Sequence, residues 1–205
     1  MKIGIEVEFF LVKDGKIVNV AKAGLPSDEY PLLAEARGNP FDCVFQAVGS
    51  VRGEIDRIVS AAGKTGLTPL FADWVKKDDD VEKLYEDILR QGFSKHIGWR
   101  NLYGKKPSSK NKRFIAAGLH VSFTEQRSFG YHVNNQPQTF NYNSVFDYPH
   151  IFNNITKEFL PEIKASGRVE GFYEVKGDGR VEYRSLPATI IHSPNFVERL
   201  ARCLK

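Results

Sequence analysis

Glu6 and Glu8 stand two residues apart in Ile3-Gly4-Ile5-Glu6-Val7-Glu8-Phe9-Phe10. Strand alternation sends both carboxylates to one face and Ile3, Ile5, Val7 and Phe9 to the other. Carboxylates in a mostly apolar strand are costly to bury without a cation partner, which here means Mg²⁺, Arg or Lys. Two later runs repeat the design. In Ala117 to Thr124, His120, Ser122 and Thr124 share a face opposite Leu119, Val121 and Phe123. In Gly179 to Pro187, Arg180, Glu182 and Arg184 share a face opposite Val181 and Tyr183. Placed in one sheet, the three strands would build a floor of carboxylates, an imidazole and guanidinium groups, with helices over the apolar side. Hard oxygen ligands take a divalent cation and guanidinium forks take phosphate oxygens, so the chemistry expected is phosphoryl transfer from a nucleoside triphosphate.

The bland alternative is a structural network in which Glu6 and Glu8 pair with Arg180 and Arg184. Desolvation offsets most of the attraction in such a cluster, so three strands that each present charge on one face are better explained by a ligand. A lone histidine is more often a satisfied core or edge residue than a ligand. His120 shares its face with Ser122 on a strand of this design, which favours the functional reading.

The elements that must position these groups follow from pattern and punctuation. Asp14-Gly15 predicts a tight turn between Leu11-Val12 and Ile17-Val18, and a Pro-containing loop leads to a strand over Leu32 to Arg37. Asn39, Pro40 and Asp42 predict the start of a long helix. Its apolar stripe would be Phe41, Val44, Phe45, Val48, Val51, Ile55, Ile58 and Val59, ending near Gly63. Leu67 to Asp73 reads as a strand, and Asp78 to Asp80 lead a shorter helix ending at Gly92. Residues 125–147 are rich in Asn, Gln, Tyr and Phe, with Asn134-Asn135 as a hairpin tip. Ile151 to Leu160 reads as helix, Val169 to Val175 as strand, Asp178-Gly179 as a turn, and Ser193-Pro194 as the start of a helix carrying Phe196 and Leu200. There are no internal repeats.

A chain of 205 residues with 41% hydrophobic content suits one globular domain, 1–205. No apolar run approaches the ~20 residues needed to cross a bilayer, and Met1-Lys2-Ile3-Gly4-Ile5-Glu6 lacks the pattern of a secretion signal, so a cytoplasmic protein without membrane contact is expected. Cys43 and Cys203 read as reduced thiols, neither resembling a nucleophile. The net charge of +4 is unevenly placed. Lys95, Arg100, Lys105, Lys106, Lys110, Lys112 and Arg113 follow one another without an acid, as a solvated surface loop, a cover over phosphates or a nucleic-acid contact.

Glu6-Val7-Glu8, Gly118-Leu119-His120-Val121 and Gly179-Arg180-Val181-Glu182-Tyr183-Arg184-Ser185-Leu186-Pro187 together resemble the carboxylate-amine ligases of the glutamine synthetase and glutamate-cysteine ligase superfamily. The nearest likeness is to the small, often phage-encoded amidoligases. The resemblance implies an α+β fold with a curved, mainly antiparallel sheet, helices on one face and the active site on the other. It implies Mg²⁺, or Mn²⁺, held by Glu6, Glu8, Glu35 and Glu182. It also implies ATP phosphates contacted by His120 and Arg184, and both phosphate contact and pairing with the glutamates stay open for Arg180 and Arg37. Many relatives have His-x-His where this chain has His120-Val121-Ser122.

The reaction implied is amide formation between a small-molecule or peptide carboxylate and an amine. ATP phosphorylates the carboxylate, the amine attacks the acyl phosphate, and ADP and phosphate leave. Lys95 to Arg113 and Gln126 to Asn143 are candidate lids that would keep water from that intermediate. A homo-oligomer would be compatible with so short a member. Two other readings stand beside this one: a nucleotide- or nucleic-acid-binding module without ligase activity, and a guanidino-kinase-like phosphotransferase, which needs a reactive cysteine near its substrate.

Overall fold

The computed structural model describes residues 1–205 except 29, 80, 84–85, 87–98, 108–112, 125–131, 134–135, 138–147, 177–179 and 205; for 99, 132–133 and 136–137 it describes the backbone alone. The described residues form an α+β structure in which every strand pairing is antiparallel.

The backbone of the sheet is β1 (Lys2–Lys13), which turns through Asp14-Gly15 into β2 (Lys16–Ile17) as expected. Asp14 and Gly15 both take positive φ, the conformation that this turn requires. Then come β3 (Ala34–Arg37), helix α1 (Val44–Gly63), β4 (Thr68–Leu70), β5 (Trp74–Lys76), β6 (Trp99–Asn101), β7 (Phe114–Ala116) and β8 (Gly118–Thr124). The chain continues through β9 (His132–Val133), β10 (Gln136–Pro137), helix α2 (Tyr148–Ala165), β11 (Phe172–Val175), β12 (Val181–Pro187), a 3-10 turn (Ala188–His192) and helix α3 (Phe196–Cys203). An open eight-stranded sheet runs β2-β1-β8-β12-β11-β6, with β3 and β4 also paired to β1. Two ribbons, β5 with β7 and β9 with β10, stand apart from it.

The three polar-faced strands are therefore neighbours, and alternation sorts their side chains as expected. Ile3, Ile5, Val7, Phe9, Leu119, Val121, Phe123, Val181 and Tyr183 enter one buried core with Val48, Val51, Ile55 and Ile58 of α1, Phe152, Ile155 and Phe159 of α2 and Leu200 of α3. Helices thus cover one face. A smaller cluster of Phe10, Leu32, Leu33, Val81, Ile115, Ala117 and Ala188 forms a second core. Phe10 has the same parity as Glu6 and Glu8, so part of the face that carries the acids is closed by apolar groups rather than by solvent.

Several boundaries differ from the pattern. Helix α1 starts at Val44 with no side-chain cap, not at Asn39-Pro40. Phe41 instead exchanges both backbone hydrogen bonds with Ile3, and the Asn39 amide donates to Ser50 Oγ, so these residues extend the sheet edge. Phe45 is consequently exposed and Ala47 takes its place in the stripe. The strand expected over Leu67 to Asp73 is shorter, β4 alone, paired with β1; β5, paired with β7, begins only beyond Asp73. Asp73, between them, accepts from the Thr189 amide and hydroxyl. The strand expected from Leu32 starts at Ala34, and the one expected from Val169 starts at Phe172. Asp78 does open a helical turn, its carboxylate accepting from the Val81 amide; the helix's course to Gly92 lies outside the described residues. The Asn134-Asn135 tip, the Asp178-Gly179 turn and most of the lid segment Gln126 to Asn143 also lie outside them, although β9 and β10 pair on either side of that tip. The basic run is not one loop: β6 contains Arg100, and Lys105 pairs with Glu170 at 2.5 Å. No described helix is long and apolar enough to cross a membrane.

Candidate metal centre

Strand register decides which polar side chains meet. Glu6 lies opposite Arg37 on β3 and His120 on β8, while Glu8 lies opposite Glu35. Ser122 lies opposite Gly4 on β1 and Glu182 on β12, and Glu182 lies opposite Glu174 on β11. Directly opposed residues have Cβ atoms only about 5 Å apart, so this register gathers seven ionisable groups into one row. Gly4 is what lets the row close up, since a Cβ there would stand 2.6 Å from Ser122 Oγ.

His120 is the hub. Its Nδ1 is 3.5 Å from Glu182 Oε1 and 3.9 Å from Glu6 Oε2, and its Nε2 is 3.7 Å from Glu8 Oε1. Arg184 Nη1 pairs with Glu182 and, at 3.2 Å, with Glu174, which also accepts from Lys176 at 2.9 Å. Arg37 pairs with Glu35 at 2.5 Å, and Arg180 lies 3.6 Å from Glu6. Glu8, Glu35, His120, Glu182 and Arg184 are all buried. Among the described residues, His120 Nδ1 and Glu182 Oε2 are buried without a hydrogen-bond partner.

A segment before β3 adds an acid that pattern reading passed over. Ser27 bridges Ala34, the Glu35 amide donates to the Pro26 carbonyl and the Asp28 amide to the Leu33 carbonyl, so residues 26–28 run along β3. This brings Asp28 to the floor. Two groups of potential ligand atoms result, each lying within 4.8 Å of one another: Glu6, Glu35 and His120, and Glu8, Asp28 and Glu35. Asp28 carries no signal in the sequence, because it belongs to no periodic run and reaches the site only through the folding back of its loop.

The electrostatics are those of an acid surplus under burial. Desolvation, reinforced by Asp28, pushes the Glu8 carboxyl up to about 8, against the pull of Arg184 and Arg168. Glu35 is pushed up to about 7 by burial, Asp28 and Glu6, despite its bond to Arg37. His120 is held well below the ordinary histidine range by burial first and Arg184 second, so its imidazole is neutral. A neutral imidazole and carboxylates crowded enough to hold protons are groups a divalent cation would bind and deprotonate.

At the inner end of the row the β8–β12 ladder is irregular. Tyr183 pairs with Val121 but Leu186 with Leu119, so Arg184 and Ser185 together face His120 across a bulge. The bulge restores Leu186 to the apolar core while Glu182 and Arg184 stay on the floor. Arg168, which follows α2, donates from Nη1 to the Ala117 carbonyl at 2.8 Å and from Nη2 to the Arg184 carbonyl at 3.0 Å. The Gly118 amide donates to Glu8 Oε2 at 2.7 Å.

Glu6, Glu8, Glu35, His120, Arg180, Glu182 and Arg184, the residues read from the sequence, thus lie on one face of one sheet. Arg180 and Arg37 pair with glutamates, the second of the two roles left open for them. Arg184 pairs directly with Glu182, a contact their shared strand face allows but did not require. Asp28, Arg168, Glu174 and Lys176 were missed; of these, Glu174 had a signal, its alternation with Tyr173 and Val175. No protein-family model matches this chain, and no curated protein matches its sequence.

Proposed function

We propose that this chain is an ATP-dependent carboxylate-amine ligase of the glutamine synthetase and glutamate-cysteine ligase kind, closest to the small amidoligases. The observation that carries the proposal is the neutral, buried His120 within 3.9 Å of Glu6, Glu8 and Glu182 from two other strands, its Nδ1 unbonded among the described residues. Buried polar atoms normally have partners, and a purely structural ion-pair network has no use for an unbonded imidazole nitrogen at its centre. Carboxylate oxygens with one imidazole suit Mg²⁺ or Mn²⁺. Glu6, Glu35 and His120, with Glu182 adjoining, would hold one ion, and Glu8, Asp28 and Glu35 a second.

A cation so held would supply charge neutralisation to the oxygens of a bound triphosphate. The chain's own residues supply the rest. Arg184, fixed from below by Glu182 and Glu174, supports charge on the transferred group. Arg37, Arg180 and the Lys176 ammonium stand less buried at the rim, where phosphate oxygens would meet them first. His120 stays neutral, so a ring nitrogen keeps the lone pair that a cation would take. A glutamine-synthetase-like curved sheet is the fold this reading requires, and the antiparallel sheet with helices on one face and the acids on the other supports it.

A second reading, a structural charge network, is favoured by the Arg37–Glu35 and Arg184–Glu182 pairs. The guanidino-kinase reading loses support because Cys43 is exposed beside α1 and burial pushes the Cys203 thiol up to about 11, far from a reactive thiolate. The decisive experiment is Mg²⁺-dependent ADP release measured against a panel of amino acids and amines, with mass spectrometry for the condensation product. ADP release that depends on both a carboxylate and an amine supports the ligase. Absence of cation binding by Mn²⁺ electron paramagnetic resonance leaves the charge network as the reading.

A further inference from the structure

One guanidinium outside the row touches both halves of it. Arg168 is placed by the end of α2: Gly167 takes φ +72°, the Arg168 amide returns to the Ile163 carbonyl, and Trp74 Nε1 donates to the Ser166 carbonyl at 2.7 Å. That termination aims the side chain under the sheet. Its two donors then fork onto carbonyls of different strands, Ala117 just before β8 and Arg184 at the β12 bulge.

A bulge removes ladder hydrogen bonds and leaves the extra residue to be held by something else. Here Arg168 accepts that task for the Arg184 carbonyl, and the Ser185 hydroxyl accepts from the Phe172 amide on the other side. Ala117 is gripped from both ends, its amide donating to the Asp73 carbonyl and its carbonyl accepting from Arg168. The next residue, Gly118, is the one whose amide holds Glu8. A Cβ at 118 would stand 2.8 Å from Arg168 Nη2 and 3.1 Å from His120 Nε2, so glycine is needed for the guanidinium, the imidazole and the strand to pack this closely.

We infer that Arg168 is a positioning residue: by bridging the Ala117 and Arg184 carbonyls it fixes the β8–β12 bulge, and so the Gly118 amide that holds Glu8 and the backbone from which Arg184 reaches Glu182. Among the described residues, the hydrogen bonds its guanidinium donates go to these carbonyls and to none of the acids. Both arms of the fork are needed because the two carbonyls belong to different strands, which a lysine's single compact ammonium cannot bridge in the same way.

The test uses the full chain and two readouts. In metal-free protein, the nitrogen-15 NMR signal of the Gly118 amide reports its hydrogen bond to Glu8, with Glu8→Gln as the reference for its weakening. Mn²⁺ titration followed by electron paramagnetic resonance reports cation affinity; this second readout rests on the proposed function and the first does not. Arg168→Lys and Arg168→Met are both expected to move the amide signal towards its position in Glu8→Gln. They are also expected to weaken Mn²⁺ binding by on the order of tenfold, the size usual for groups that orient ligands. A merely structural arginine would lower the melting temperature and leave both readouts unchanged in the folded protein, and that result overturns the inference. Should the Arg168 variants not fold, Gly118→Ala, which crowds the guanidinium directly, is expected to weaken Mn²⁺ binding and shift the position 184 amide. An unshifted 184 amide there also overturns it. If wild-type protein binds no Mn²⁺, the ligase proposal fails, while the amide signals still decide the role of Arg168.

Discussion

Two clusters of acids and guanidinium groups in this molecule settle their charges in opposite ways. On the helix layer, Arg199 of α3 bonds Glu158 at 2.9 Å, Glu162 and the Glu158 carbonyl, and its guanidinium lies 4.4 Å from the Phe159 ring centre. Arg202 adds a second bond to the Glu158 carboxylate. These hydrogen bonds hold both carboxyls below the ordinary carboxylate range. On the sheet floor the balance reverses: burial is the largest influence on Glu8 and Glu35 and lifts them to about 8 and about 7. The difference is geometric. An acid about one-third exposed keeps much of its hydration and gains an arginine, whereas Glu8 and Glu35 are nearly buried and stand beside further acids. Cross-links of the first kind hold helices together, while an unrelieved acid surplus of the second kind is what a cation site requires.

The largest expected effect breaks the floor. Glu8→Gln or Glu182→Gln keeps the shape and removes the charge, and should lower Mg²⁺-dependent ADP release by on the order of 10²-fold or more while circular dichroism stays native. Unchanged turnover would remove these residues from the cation shell. Next comes pH. Glu8 and Glu35 have folded-state values above the ordinary 4.5, so the folded protein binds protons more tightly than the unfolded chain. Their contribution is fully present below about pH 4.5 and is lost progressively as pH rises from there through about 7 and 8. Urea midpoints of metal-free protein at pH 5, 7 and 8.5 should fall accordingly, and Mg²⁺ should recover most of the loss at pH 8.5. Asp28→Asn removes a charge that raises both glutamates and should reduce the fall; an unaltered slope would separate Asp28 from the site.

A smaller effect probes how β3 is held. A Cβ at Gly38 would stand 2.9 Å from the Val51 amide nitrogen, in the backbone of α1, so Gly38→Ala should force strand and helix apart and cost about 1–3 kcal/mol in a denaturant titration. The smallest effect belongs to the helix-layer cluster. Glu162→Gln should cost less than about 1 kcal/mol at neutral pH, as partly exposed pairs do. Because Glu162 is lowered rather than raised, its contribution is present above about pH 4.5 and disappears on acidification, the reverse of the floor. Parallel pH slopes for Glu162→Gln and Glu8→Gln would dissolve the distinction between the clusters.

Much of the floor was legible because period-two alternation is a local property. Glu6 and Glu8 separate from Val7, His120 from Val121 and Glu182 from Tyr183 by pleating alone, and burial of the apolar member then commits the polar one to the opposite face. The helices were legible as stripes, but their ends were not. Asn39-Pro40 looks like a helix start, yet Phe41 satisfies its backbone on Ile3, a partner 38 residues earlier in the chain. The strand read over Leu67 to Asp73 stops at Leu70, and Trp74–Lys76, which carried no strand reading, forms one by pairing with the distant Phe114–Ala116, for the same reason.

The face each charged residue occupies is written locally in the chain, since it follows from the nearest few neighbours and the cost of burying charge. Which charges become neighbours depends on long-range pairing: the β1–β8 and β8–β12 registers that centre His120, the fold-back that delivers Asp28, and the α2 terminus that sends Arg168 beneath the bulge. Those contacts join residues as far apart as Glu8 and Gly118, and no local periodicity encodes a pairing over that span.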